Sequence, residues 1–489
     1  MNDTFLVGVD LALSSVRVTA YDENGDVALS GRADVDEPSA EGWEAALREA
    51  AVYLPNERTV VSTVGTSGTV VPVDARGDAV FDPQWYYETA PEQEARLTDL
   101  DLAEELSARG VSLSASSPLA KILRLREEHP DRFDDVEWIL SPATWLLYRL
   151  AVPEGERWTD LETDWTNALK FGADVTTRPP EWFEPLFDAV DVAVDLFPAI
   201  RAPGTFVGHA ESRLAEEVGL ADAELYQGLT DGNASVLASG CLQPGDCSIV
   251  SASTSVVKYV SEEIEPHDAL YYHRHPIEGY LPGAAFDSGV ILRWFCERIL
   301  DIDRDEGLKL ARGVDAGEEP RLFLQGNRSP FFDPEMGTTM FDLWPGEDRS
   351  TDEARGRLVR GIVSSIALSE YTYFPLLEEH FGRDIEEVRL VSGGEAGRDD
   401  PFSWWNTLRA SVWDREVLQM EPRATVGPLI PAALTASVYG DVDEASDRLL
   451  RVNGEVPVDD RLREAYRERK EEFADDWSRV NDLYGRLDR

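Results

Sequence analysis

Two segments, one at the start of the chain and one at its middle, repeat a single pattern, and that repeat restricts the fold more than any other feature. FLVGVDLALSSVRVTAYDENG (Phe5 to Gly25) runs from an apolar strand through Asp10 into a turn carrying Ser14 and Ser15, then into a second apolar strand closed by Asp22-Glu23-Asn24-Gly25. CSIVSASTSVVKYVSEE (Cys247 to Glu263) has the same order: apolar strand, a turn of Ser251-Ala252-Ser253-Thr254-Ser255, apolar strand. Composition and turn residues make each a β-hairpin. A hydroxyl-rich hairpin opening each half of the chain predicts a duplicated fold with two lobes. Two such turns facing one another across a cleft can hold a polyphosphate from both sides; a chance match of two Ser/Thr-rich hairpins is the alternative. Asp10 alone reads equally as a turn residue capping its own backbone or as part of a phosphate and metal site.

The chain has 489 residues, too many for one core, and two or three domains are expected. Lys+Arg total 46 against 94 Asp+Glu, a net charge of −48, with the acids spread along the whole length. Self-repulsion of that size destabilises a compact state in dilute salt and is screened in concentrated salt. The charge therefore reads as adaptation to a salty cytoplasm, and it argues against nucleic acid, whose phosphates need a basic footprint. Cys241, Cys247 and Cys296 form no CxxC pair, which points to a reducing compartment, and no His/Cys cluster suits zinc. No basic-then-apolar signal segment opens the sequence and no run approaches a membrane span. A cytoplasmic, soluble protein with no membrane partner is expected.

Between and after the hairpins the pattern alternates. A helical segment covers Ser39 to Leu54, followed by strands on either side of a Thr66-Ser67-Gly68-Thr69 turn. Helical periodicity marks Pro91 to Arg109 and Lys121 to His129, and Ser141-Pro142 begins a helix. In LTDGNASVLASG, Asp231 stands at a strand-to-helix junction, where a helix cap is the plain reading. LVSGGEAGRDDPFSWWNTL places Gly393-Gly394 after a strand, where backbone can approach a ligand closely, ahead of a helix with Trp404, Trp405 and Asn406. The charged tail from Asp441 onward reads as helix with a solvated face. Ser67 is a hairpin residue or a sugar contact. Glu88 follows the aromatic run Trp85-Tyr86-Tyr87, which packs or lines a sugar site. Lys121 and Lys170 stand out among five lysines without a role the sequence supplies.

In this order the landmarks resemble the FGGY family of carbohydrate kinases, from Phe5 to about Gly440. The resemblance implies an α/β, two-lobed actin-like (RNase H-like) fold, duplicated, with a cleft between the lobes. It divides the chain into an N-terminal lobe of residues 1–245 that binds sugar and carries the catalytic acid, a nucleotide-binding lobe of residues 246–440, and a helical tail of residues 441–489 packed on the second lobe. Gly8-Val9-Asp10 with Ser14 looks like the family's first phosphate hairpin, Ser251 to Ser255 like the second, and Ser392-Gly393-Gly394 with Ala396 like its adenosine turn. By that resemblance Asp231 is the catalytic base. Ser14, Ser15, Ser253, Thr254, Gly393, Gly394 and Asn406 bind the nucleotide. Asp10, Ser67, Glu88 and Asp231 meet the sugar, and Asp10 holds Mg²⁺ through water.

The implied activity is transfer of the ATP γ-phosphate to a small sugar, a ketopentose such as D-ribulose or D-xylulose. GTSGTVVPVD, TDWTNALKFG and LTDGNASVLASG look most like the D-ribulose kinase branch. The chain has no GxxxxGK[ST] string, so backbone amides, hydroxyls and Mg²⁺ would neutralise the phosphates. It departs from the family pattern at Ala12-Leu13, where a Gly-Thr pair is usual, at Ser253 and Glu395, each in place of a glycine, and in QWYYETAP, which lacks the family's sugar-binding arginine. Ala12-Leu13 and Glu395 favour one alternative, a catalytically weak sugar-binding or regulatory protein on the same fold, while the retained Asp10, Thr254 and Asp231 favour the kinase; a kinase for glycerol or another polyol is a further alternative. An actin-like ATPase chaperone or filament protein is a third. The resemblance leaves room for a homodimer.

Overall fold

The computed structural model describes residues 4–486, apart from residues 56, 112, 115, 318, 324–328, 330–335, 342–350 and 393–400. The chain forms two compact units of interleaved segments. The first is Met1–Ala238, Tyr272–Tyr280 and Arg423–Leu450; the second is Ser239–Tyr271, Leu281–Pro422 and Arg451–Arg489. The linear division at 245/246 and 440/441 differs from these units in three places: residues 239–245 group with the second unit, and Tyr272–Tyr280 and Arg423–Leu450 group with the first. For Arg423–Leu450 the reason is visible in its contacts. Thr425 Oγ1 lies 2.8 Å from Tyr21 Oη, and Tyr439 Oη donates to Glu23 O. Gly8 sits so close to Thr425 that an added Cβ would be 2.1 Å from its carbonyl oxygen.

In the first unit six strands lie in the order Val27–Asp34, Ser15–Tyr21, Thr4–Leu11, Arg58–Gly65, Glu224–Thr230, Phe206–His209. Pairing runs antiparallel, antiparallel, parallel, parallel, antiparallel along that order. The central strands are apolar on both faces, with Leu6, Val7, Val9, Val60 and Val61 fully buried, as expected where helices cover both sides of a sheet. One cover is helix Ala40–Glu49, started by Ser39 Oγ accepting the Gly42 N–H (3.0 Å). Its Trp43 packs on Trp85 and Trp145, with ring centroids 5.2 and 5.8 Å away. The helix is shorter than the Ser39–Leu54 run read from the sequence. The Pro91–Arg109 run is broken into Pro91–Thr98 and Ala103–Ala108.

The second unit repeats the plan. Strands Tyr280–Asp287, Thr254–Tyr259, Cys247–Ser251, Glu387–Ser392, Glu416–Met420 and Val452–Glu455 lie in that order, with the same succession of antiparallel and parallel pairings. The duplication inferred from two hairpins thus extends to whole sheets. Helix Asp352–Phe381, capped by Thr351, fills the core with Val359, Ile362, Val363 and Ile366. The C-terminal helix Asp460–Arg486 is less exposed than a purely solvated tail. Tyr466, Phe473 and Val480, one per seven residues, are buried, and Phe473 stacks on Phe323 at 4.8 Å. Among the described residues no helix is long and apolar enough to cross a membrane.

A net charge of −48 on this fold has a measurable consequence. Raising KCl from about 0.1 M to about 1 M shortens the screening length from about 10 Å to about 3 Å. Tm is expected to rise across that range. Differential scanning calorimetry checks it; a falling Tm would mean that surface pairs such as Arg58–Glu224 (2.8 Å) outweigh the repulsion.

Candidate active site

The two acids singled out in the sequence end up at one edge of the first sheet. Asp10 lies near the end of strand Thr4–Leu11, and Asp231 begins helix Asp231–Ala238 directly after strand Glu224–Thr230. Register makes them level, since Leu11 and Thr230 both pair with Gly65 on the strand between them. This is the carboxyl end of three parallel strands, where open α/β sheets bind ligands.

Asp231 is exposed by surface area, yet enough protein surrounds its carboxyl that desolvation pushes its pKa up. Surface exposure decides access here, so the acid is open to a ligand while poorly hydrated. Opposing the rise, Oδ1 accepts the N–H groups of Gly232 (2.7 Å) and Ser67 (3.2 Å), and the charge of Lys170 acts in the same sense. The bond to Gly232 is to the next residue, so the side chain does not make the N2 or N3 bond of the cap read from the sequence; the bond to Ser67 comes from a different turn. Burial likewise raises the Asp10 pKa, to about 6. Arg17, 3.6 Å away, lowers it, and the like charge of Asp231 raises it.

Residues flanking Asp231, together with the string around Asp164, brace this junction. Buried Asp164 caps helix Trp165–Phe171 by accepting from the N–H groups of Thr166 (2.8 Å) and Asn167 (3.1 Å). Thr166 Oγ1 in turn accepts the N–H of Thr230 (3.1 Å), and Asn233 Nδ2 donates to Thr230 Oγ1 (2.7 Å). Lys170, from the same helix, places Nζ 3.0 Å from His273 Nε2. In the first turn Ser14 is exposed and Ser15 buried, and the Ala12 N–H closes the turn onto Ser15 O (3.0 Å). Leu13 packs toward the hydrophobic core. Glu88 is not a free acceptor: Arg124 Nη2 donates to its Oε2 at 3.1 Å. That arginine comes from helix Pro118–Glu128, outside the QWYYETAP string.

In the second unit the hydroxyl turn forms one wall of a pocket of about 350 Å³, lined by Ser251, Ser253, Arg293, Arg304, Ser392 and Trp405 among others. Ser253 is exposed, and its carbonyl accepts the Ser288 and Val290 N–H groups, which fixes the turn. Thr254 is half-buried and outside the lining. Asn406 stands behind the wall, with Nδ2 donating to Ser392 Oγ and Gln419 Oε1, both 2.8 Å, so its amide supports the pocket instead of opening into it. Trp404 lies on another face, beneath the Arg360 guanidinium. Gly393 and Gly394 lie outside the described residues.

Sequence reading missed the brace beneath this turn. Arg409 and Glu370, both fully buried, pair at 3.0 Å. Arg409 Nη2 donates to Ser251 Oγ (2.6 Å), and Ser255 Oγ donates to Glu370 Oε1 (2.6 Å), so one ion pair holds both ends of the turn. The available signal was a lone charge inside each of two apolar helical runs, NTLRASVW and ALSEYTYF. Arg409→Met strands the Glu370 carboxylate and is expected to cost about 3–5 kcal/mol. Urea unfolding checks it, and a loss under about 1 kcal/mol would mean that the acid protonates at little cost.

Acids at the carboxyl edge of one duplicated α/β sheet and a hydroxyl-walled, arginine-bearing pocket on the other define a two-domain, actin-like phosphotransferase. Residues 87–238 match the N-terminal domain of the FGGY family of carbohydrate kinases. The xylulose kinase of Staphylococcus epidermidis is 21% identical over 477 residues, covering 92% of this chain and 91% of its own. The autoinducer-2 kinase of Yersinia enterocolitica is 24% identical, covering 91% and 89%. A ligand-bound xylulose kinase from Lactobacillus acidophilus superposes with a TM-score of 0.82 at 14% identity, covering 99% of this chain and 100% of that one. The chain is thus similar over residues 87–238 to the FGGY carbohydrate kinases and along most of its length to xylulose kinases, a likeness that marks it as a phosphotransferase acting on a sugar hydroxyl.

Proposed function

We propose that this kinase phosphorylates a ketopentose, D-xylulose or D-ribulose, with Asp231 as general base, Asp10 as the metal-side acid and the pocket beside Ser253 as the nucleotide site. The observation that carries the reading is Asp231 itself: an accessible, poorly hydrated carboxylate held by two backbone N–H groups at the carboxyl edge of the sheet. A base of raised pKa accepts a proton near neutral pH more readily than an ordinary aspartate. As the sugar oxygen bonds to the γ-phosphorus, its proton passes to Asp231, the bond from that phosphorus to the bridging oxygen breaks, and ADP leaves. Asp231 also orients the attacking hydroxyl, and positioning with charge neutralisation carries most of such a reaction.

The donor set suits Mg²⁺. Asp10 is a hard oxygen ligand whose pKa is raised by burial and, to a lesser degree, by the like charge of Asp231, a strain that a divalent cation relieves. Mg²⁺ in such a site would be held by one or two carboxylates, waters and the nucleotide phosphates, with Asp10 the carboxylate this chain supplies. When bound, Mg²⁺ neutralises charge on the phosphates. Arg293 and Arg304 would add positive charge in the nucleotide pocket. Xylulose is favoured by the relatives' names and ribulose by the strings around Ser67, Asp164 and Asp231.

ADP release should be followed with Mg-ATP in about 1 M KCl across ketopentoses, ketohexoses, glycerol and erythritol. Release is expected with a ketopentose and not without sugar. Preference for glycerol or erythritol would move the enzyme to the polyol kinases. Tight sugar binding with no release would favour the binding-protein reading, for which Leu13 packed toward the core is the supporting observation.

A further inference from the structure

Lys121 is completely buried, yet no carboxylate is among its hydrogen-bond partners. Its Nζ donates to Gly68 O (2.8 Å), Trp85 O (2.8 Å) and, more weakly, Gln84 O (3.4 Å). The three N–H groups of the ammonium are thus spent on backbone carbonyls from two separate loops. Burying an ammonium whose hydrogen bonds all go to neutral carbonyls is costly: burial lowers the Lys121 pKa to about 8, opposed by the nearby charge of Glu88 and helped by that of Arg124. Holding two loops together does not by itself require a charge, and this chain uses lysine only five times. The cost needs a return elsewhere.

That return is legible one residue away. Gly68 follows Ser67, whose N–H meets Asp231 Oδ1. Gly68 has φ +79°, and a Cβ there would meet nothing within 4 Å, so glycine is needed for its backbone conformation and not for space. The direction of the Ser67 N–H is set by this left-handed turn, and Lys121 holds the turn by its Gly68 carbonyl. Arg124, three residues further along helix Pro118–Glu128, holds the other side of the second loop. It donates to Gln84 Oε1 (2.7 Å), Thr89 O (2.8 Å) and Glu88 Oε2 (3.1 Å). The loop so held carries Tyr86 and Tyr87, both exposed.

We propose that Lys121 is a positioning residue of the sugar site, a buried cation that locks the Ser67-Gly68 turn against the Gln84–Thr89 loop and thereby aims the Ser67 N–H at Asp231. The proposal rests on Asp231 being in the sugar site. A displacement of about 1 Å in a positioned group costs up to about 100-fold in rate.

The test compares Lys121→Met, which keeps length and removes the charge, and Gly68→Ala, which disturbs the same turn at a position with room for the methyl. Sugar affinity is measured by calorimetry without ATP, followed by the two KM values, kcat and Tm. Lys121→Met is expected to weaken sugar binding about tenfold or more and to lower kcat, with the KM for ATP within about twofold of wild type. Gly68→Ala is expected to weaken sugar binding severalfold in the same direction while remaining folded. A merely structural role would lower Tm and leave the sugar affinity of the folded protein unchanged, which overturns the proposal. Should Lys121→Met not fold, an unchanged sugar affinity in Gly68→Ala overturns it equally. If wild type binds a ketose without phosphorylating it, the kinase reading fails while the affinity comparison still decides on Lys121. If wild type binds no sugar of the panel, the site reading and this proposal fall together.

Discussion

Asp231→Asn is expected to abolish sugar-dependent ADP release, by about 10²–10⁴-fold in kcat, while the protein stays folded and still binds sugar. Asparagine keeps an oxygen that can accept from Ser67 and Gly232, so the junction between strand Glu224–Thr230 and the helix survives. What it cannot do is take the proton of the attacking hydroxyl. The brace through Thr166, Thr230 and Asn233 does not involve the side chain of residue 231, which is a further reason to expect an intact fold. Removing a poorly hydrated carboxylate should leave Tm unchanged or slightly higher. A variant that retains a tenth or more of wild-type kcat would show that another group, or water, accepts the proton. A variant that loses sugar affinity along with turnover would make Asp231 chiefly a binding residue.

Asp10→Asn is expected to produce opposite effects on activity and stability. The folded-state pKa of Asp10 is about 6 against 3.8 for the unreacted side chain, so folding favours its protonated form. The ionised acid therefore destabilises the fold increasingly as pH rises from about 4 to about 6, and the full penalty remains above that. Its side chain is only 14% exposed, which keeps solvent screening modest. Replacing it with neutral asparagine should stabilise the ligand-free protein at pH 7 by on the order of 2 kcal/mol. Below about pH 4 the advantage should vanish. Arg17 loses a partner at 3.6 Å, but a guanidinium that is 40% exposed gives up little. Activity should fall by several orders of magnitude if Asp10 is the metal-side acid, and the requirement for Mg²⁺ should rise sharply. Urea unfolding at pH 4 and pH 7, beside a Mg²⁺ titration of turnover, reads both effects. Equal stability of the two proteins at pH 7 would remove the electrostatic argument, and wild-type turnover would remove Asp10 from the site.

The sequence alone determined what is local. Both hairpins, the hydroxyl turns, the Asp231 strand-to-helix junction and the helix start at Ser141 are written in residues a few positions apart, because turn chemistry and apolar alternation act over that range. Repetition of one hairpin then implied the duplicated sheet, and strand pairings confirm the same succession in both units. Only the tertiary structure decided how distant groups are spent. Tyr21 and Thr425 meet across 404 positions, which is why the segment after Pro422 returns to the first unit. Arg409 reaches Ser251 across 158 positions and Glu370 across 39, turning two unremarked residues, Arg409 and Glu370, into the brace of the hydroxyl turn. Glu88, read as a sugar contact, is occupied by Arg124 from a helix 36 positions away, and Asn406 is taken up by Ser392 and Gln419. Lys121 had no reading in the sequence because its partners are backbone carbonyls, which every residue possesses and no residue type announces. A charge or amide is legible by type, but whether it faces a ligand or another side chain depends on what the fold brings within about 3 Å of it.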